Sequence, residues 1–160
     1  MTIAAGVLIV VLLVGACVGV VRRTLTVVTV RGTSMVPTYH PGDRLLVRRA
    51  GVRSLRAGQV IVVAAGLPVG TPRLDSPLWM IKRLVARPGD PVPRSEAFRV
   101  HDAADDITPH GCLVVAADNP AGVDSRQLGY FAAVNLLGVV VRRLGQPAAH
   151  GGVTADAAGL

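Results

Sequence analysis

Short runs of β-branched residues, each shut off by a glycine or proline turn, leave this chain few folds to adopt. Residues 26–30, Thr-Val-Val-Thr-Val, form the first run, and Arg44-Leu45-Leu46-Val47-Arg48 a second. Residues 59–64 follow the Arg56-Ala57-Gly58 turn and read as a strand buried on both faces. Residues 79–86 end at the turn Arg87-Pro88-Gly89-Asp90, and shorter runs stand at 112–116 and 139–142. Residues 66–77 read as a loop, 91–111 as a loop or weak hairpin, 118–126 as loop, and 132–135 as a helical turn. No internal repeat is visible. Many short strands and little helix predict an all-β, mainly β domain of barrel or sandwich type. Apolar residues make up 51% of the chain but aromatics only 3%, so the core must be built from Val, Leu, Ile and Ala.

The strands are preceded by a segment of another kind. Residues 3–21 carry no charge, and at ~1.5 Å per residue a helix of that length reaches about 28 Å, close to the hydrocarbon thickness of a bilayer. Arg22 and Arg23 end it. The expectation is one N-terminal transmembrane helix over residues 1–23, a folded domain over 24–145, and a flexible Gly/Ala/Pro-rich tail over 146–160. The formal net charge of +7 is spread along the chain. With few aromatics available for base stacking, no nucleic-acid partner is expected, and an anionic lipid membrane is the simpler counterpart. The positive-inside rule applied to Arg22-Arg23 would put the domain in the cytoplasm.

Lys82 is the only lysine beside sixteen arginines. Arginine stays protonated in proteins, whereas a buried lysine can become a neutral amine near pH 7. Lys82 sits in the apolar run 79–86, so it is either an amine kept for chemistry or a chance survivor whose ammonium snorkels to solvent. Ser34, in Gly32-Thr33-Ser34-Met35-Val36-Pro37-Thr38, is the complementary candidate. A serine needs a base to take its proton and donors for the oxyanion. Gly32 lets backbone approach a ligand closely, and Pro37 fixes the exit of the turn.

Four stretches in order resemble the type I signal peptidase family of Ser/Lys proteases. They are Ser34-Met35-Val36-Pro37-Thr38; Pro41-Gly42-Asp43-Arg44-Leu45-Leu46-Val47; Lys82-Arg83-Leu84-Val85-Ala86-Arg87-Pro88-Gly89-Asp90; and Asp118-Asn119-Pro120 with Asp124-Ser125-Arg126. The resemblance spans roughly residues 27–144 and implies a signal-peptidase-like, β-barrel-type domain. It implies Ser34 as nucleophile, neutral Lys82 as general base, and the Ser34 backbone N–H as oxyanion donor. Val30, Gly32, Met35, Tyr39, Met80 and Ile81 would line shallow apolar pockets for small side chains, though each could equally be core. Asp124 and Arg126 would form a structural ion pair near the site, with Asp118 and Asn119 organising the loop.

The resemblance further implies a precursor protein or peptide as substrate, no cofactor and no metal. It also implies a single-pass plasma-membrane protein with its catalytic domain outside the cytoplasm, against the bias of Arg22-Arg23. There are departures. Ala117 stands where the family often has Gly, the loop between Asp118 and Asp124 is one residue short, and Gly122 or Val123 falls where many relatives place a hydroxyl that orients the lysine. Relatives with a hydroxyl two residues before the nucleophile have no counterpart here, since that position is Gly32. The closing box is similar to that of small actinobacterial relatives, including those assigned to maturation of nickel superoxide dismutase. Two other readings stand beside signal-peptide cleavage: a maturation peptidase of one such precursor, and an inactive peptide-binding relative. A self-cleaving repressor would need a DNA-binding domain where the apolar segment stands. Cys17 and Cys112 are not expected to pair. His101, Asp102, Asp105, Asp106 and His110 cluster without ligand spacing and read as a solvated loop.

Overall fold

A computed structural model describes residues 2–64, 78–101 and 103–145. Helix α1 covers Thr2–Thr24 and runs straight into the first strand. Nine strands follow: β1 (Leu25–Thr29), β2 (Arg44–Arg49), β3 (Val60–Ala64), β4 (Trp79–Ala86), β5 (Arg94–Ser95), β6 (Phe98–Arg99), β7 (Cys112–Ala116), β8 (Phe131–Ala132) and β9 (Leu136–Gly145). One-turn helix α2 is Ser125–Leu128, and 3-10 turns lie at Val52–Ser54 and Ala133–Asn135. Seven strands form one antiparallel sheet in the order β1-β2-β9-β3-β4-β7-β8, curled into a half-barrel, with β5 and β6 a separate hairpin. The mainly β expectation is met.

Alternation along β3 shows how the sheet separates two cores. Ile61 and Val63 pack with Leu84, Leu113 and Val115 on one face, while Val60 and Val62 pack with Val30, Met35, Leu45 and Val47 on the other. All five β3 residues are buried, as the unbroken apolar run 60–64 anticipates.

Strand β9 is longer than the expected 139–142, and on its N-terminal side it runs through Gly138. A Cβ at Gly138 would sit 2.2 Å from the Arg48 carbonyl oxygen, so only glycine lets β9 lie this close to β2. The expected hairpin in 91–111 is β5–β6, and the expected turn at 132–135 is the 3-10 segment. The expected tail, 146–160, and the whole of the loop 66–77 lie outside the described residues.

Side chains of α1 are described over 6–16, at 19 and at 22–24. Val7 to Val14 are each more than half exposed. Among the described residues no helix is long and apolar enough to cross a membrane.

Candidate functional site

The loop between β1 and β2 carries Ser34, and its neck is closed by backbone bonds. Val30 N–H donates to the Asp43 carbonyl at 2.8 Å, and Gly42 N–H to the Val30 carbonyl at 3.0 Å. The buried Asp43 carboxylate accepts the His40 N–H at 3.0 Å and an Arg143 N–H at 3.3 Å. This is why Pro41-Gly42-Asp43 follows the serine box: it turns the chain back into β2 and locks the neck. Within the loop, Gly32 has φ +84°, a conformation that disfavours any side chain. Met35, 1% exposed, plugs the loop into the core beside Val30. The Val36–Pro37 bond is cis.

Ser34 is half-buried, and its backbone carbonyl accepts the Asn119 N–H at 3.0 Å. Among the described residues nothing accepts a hydrogen bond from the Ser34 N–H or bonds to its hydroxyl. Ser34 lies in an open cleft of ≈ 520 Å³ lined by residues 28–35, residues 78–81 and Val123. Of the expected pocket residues, Val30, Gly32, Met35, Met80 and Ile81 line this cleft. Tyr39 does not; it packs against the core cluster of Val30 and Met35, so its assignment to a pocket is corrected to core. Residues 28–29, Arg31, Thr33, Leu78, Trp79 and Val123 were not expected there. The weak turn signals around them gave no sign that two distant segments converge.

Among the described residues Lys82 is the largest fully buried side chain, 1% exposed. It sits opposite Ile61 in the β3–β4 ladder. Pleating gives it the face of Leu84, in the cluster of Ile61, Leu113 and Val115, and not the face of Ile81. It does not line the cleft, whose β4 residues end at Ile81. Burial pushes its pKa below the usual lysine value; the Asp124 carboxylate pulls it back up, and Arg126 adds to the lowering. No hydrogen bond joins Ser34 Oγ to Lys82 Nζ, and among the described residues Nζ has no hydrogen-bond partner. Bonds of this kind commonly close only in a substrate complex.

The loop from Ala117 to Arg126 touches both candidates. Asn119 ties it to Ser34 and donates a side-chain N–H to the Thr33 carbonyl at 3.1 Å. Asp124, fully buried, pairs with Arg126 at 2.8 Å and accepts the Ala117 N–H at 2.7 Å. Burial alone would raise the Asp124 pKa; the bonds from Arg126 and from the Ala117 and Arg126 N–H groups outweigh it and hold the carboxylate ionised below its usual range. The expected ion pair is therefore present, and its net field acts on Lys82. Asp124 also caps α2, with Gln127 returning a bond to the Asp124 N–H at 2.9 Å. The spacing Asp124-Ser-Arg-Gln127 is a capping-box signal that could have revealed this helix.

Asp118 does more than shape a turn. Arg83, the residue after Lys82, grips it through Nε at 2.7 Å and Nη2 at 2.6 Å, and Thr38 Oγ1 donates to it as well. The Arg83 bonds lower the Asp118 pKa, against a smaller opposing effect of burial. Arg83 also donates to the Gly58 carbonyl at 2.8 Å. This clamp joins the serine loop, the lysine strand and the closing loop.

Among the described residues no three His, Cys, Asp or Glu side chains gather as a metal site. In the expected acidic/His cluster, Asp106 pairs with Arg94 at 3.0 Å and Asp105 accepts from Tyr130; Asp102 lies outside the described residues. Cys112 carries a free, half-buried thiol. The family model described as signal peptidase, peptidase S26, matches residues 3–102. No curated protein matches the chain.

Proposed function

The chain belongs to the signal peptidase family, peptidase S26, and from that premise we propose that it is a serine endopeptidase that cleaves signal or leader peptides from precursor proteins using Ser34 and Lys82. The observation that carries this reading is the burial of the single lysine with a lowered pKa, on the strand whose preceding residues line the serine cleft.

In this mechanism the neutral amine of Lys82 takes the Ser34 hydroxyl proton as Oγ attacks the scissile carbonyl. The unoccupied Ser34 N–H faces the oxyanion. Collapse breaks the C–N bond, and the lysine ammonium gives its proton to the departing amine. Lys82, neutral again, then takes a proton from water as the hydroxide attacks the ester; on collapse the lysine ammonium returns that proton to the departing Ser34 Oγ, releasing the acid product and restoring both groups. The substrate can lie extended between residues 28–33 and β4, since among the described residues nothing pairs with 79–82 on the β7 side; pairing there begins at Arg83–Ala116. The cleft walls of Val, Met and Ile favour small apolar side chains next to the scissile bond.

In the same reading, α1 is a single-pass anchor in the plasma membrane and the domain over 24–145 stands outside the cytoplasm. Its support is the uncharged stretch 3–21, and a C-terminal reporter shielded from added protease in intact cells would overturn the orientation. Incubating the detergent-solubilised chain with secretory precursors and a nickel superoxide dismutase precursor, with Ser34→Ala as control, tests the activity and separates general processing from dedicated maturation. An inactive peptide-binding relative is the second reading, favoured by the lack of a hydrogen-bond partner for Lys82 Nζ among the described residues; a serine-reactive probe that labels the chain but not Ser34→Ala eliminates it.

A further inference from the structure

The cleft around Ser34 is walled by apolar and uncharged residues with a single exception, Arg31. Arg31 is exposed, stands three residues before Ser34, and has no ion-pair or hydrogen-bond partner among the described residues. The nearby carboxylates of the closing loop are already committed. Asp118 is gripped by Arg83, and Asp124 is fully buried in its pair with Arg126. Val123, the one residue of that loop lining the cleft, brings no charge. Among the described residues the cleft therefore holds one uncompensated guanidinium, and a guanidinium matches a carboxylate in bidentate geometry.

We infer that Arg31 makes this cleft selective for peptides bearing an aspartate or glutamate close to the scissile bond. The inference rests on the peptidase reading and names the substrate class for the same site. Arg31 is three residues from the nucleophile, and extended chain advances ~3.3 Å per residue, so the acidic residue falls within about three positions of the bond attacked by Ser34. Small apolar side chains would occupy the Val30, Met35 and Ile81 walls, and the carboxylate would meet Arg31. A basic residue at that position would face an unpaired like charge and be disfavoured, which adds discrimination to the attraction.

The test is a set of peptides with a small-residue cleavage sequence in which each position near the scissile bond is Asp, Ala or Arg in turn. Cleavage by the full chain in neutral detergent is followed at low and high salt. The expected result is one position where Asp exceeds Ala by about five-fold in kcat/KM and Arg falls below Ala, a preference that shrinks with salt. Arg31→Ala removes the ranking, and Arg31→Glu reverses it. An Asp preference that persists in Arg31→Ala, or no charge preference in the unmodified chain, overturns the inference. Binding of the same peptides to Ser34→Ala separates this from failure of the peptidase reading. If nothing is cleaved yet Ser34→Ala still binds the acidic peptides better, and Ser34→Ala/Arg31→Ala does not, selectivity stands and proteolysis falls. If that binding shows no charge preference, the inference falls.

Discussion

The Cβ of Ala117 occupies the space that a side chain on Gly122 would need: a Cβ built on Gly122 would lie 2.6 Å from it. The Asn119 carbonyl and the Ser34 Cβ close the remaining sides at 3.1 and 3.2 Å. Alanine at 117 and glycine at 122 are thus one packing choice. Gly122→Ser should destabilise the domain by about 1–3 kcal/mol, the usual cost of overpacking. Ala117→Gly/Gly122→Ser should recover much of that loss. Chemical denaturation of the single and double variants measures both, and equal destabilisation in the two would contradict the packing account.

The burial of Lys82 predicts a pH dependence of stability with a definite sign. Its folded pKa lies below the ordinary value of 10.5, so between the two the unfolded chain holds a proton that the folded chain lacks. Stability therefore rises with pH across that window, and the cost of burying the ammonium is fully present below it. Lys82→Met should remove this slope and raise stability at the low-pH side by on the order of 1 kcal/mol for each unit that the pKa is lowered. Equilibrium unfolding at a series of pH values gives both results.

At acid pH the opposite sign applies to Asp118 and Asp124. Both have lowered pKa values, so the stability they confer is present above their unfolded value of 3.8 and is lost as pH falls through the folded values. Asp124→Asn strands the partly buried Arg126 and should cost about 3–5 kcal/mol. Asp118→Asn, whose partner Arg83 is one-third exposed, should cost less, about 1 kcal/mol. Thermal melts of the two variants at neutral pH rank them.

Much of the fold was legible because valine-rich runs between glycine and proline turns admit little else. Strands β2, β3, β4 and β7 fall within a residue of where the sequence puts them. The pairing order was not legible: β9 inserts between β2 and β3, and no local signal announces a partner some eighty residues away. For the site, Ser34 and Lys82 could be picked out by residue type and by resemblance. Arg83 was hidden in plain view, since an arginine beside a lysine reads as generic surface charge until Asp118 is seen to meet it. Tyr39, open to pocket or core on the sequence, packs with the core because adjacency to the serine box in sequence is not adjacency to the cleft.

The central claim is that Lys82, uncharged, takes the proton of Ser34, and pH profiles of Ser34 reactivity test it most directly. The measurement is the rate of acylation of the full chain by a serine-reactive probe from mildly acid to alkaline pH, in the unmodified chain, Ser34→Ala and Lys82→Arg. The account predicts a rate that climbs with loss of one proton at a midpoint below 10.5, no labelling of Ser34→Ala, and a fall of about 10²–10⁴-fold in a folded Lys82→Arg. A flat profile, or a Lys82→Arg variant that labels as fast as the unmodified chain, would contradict it.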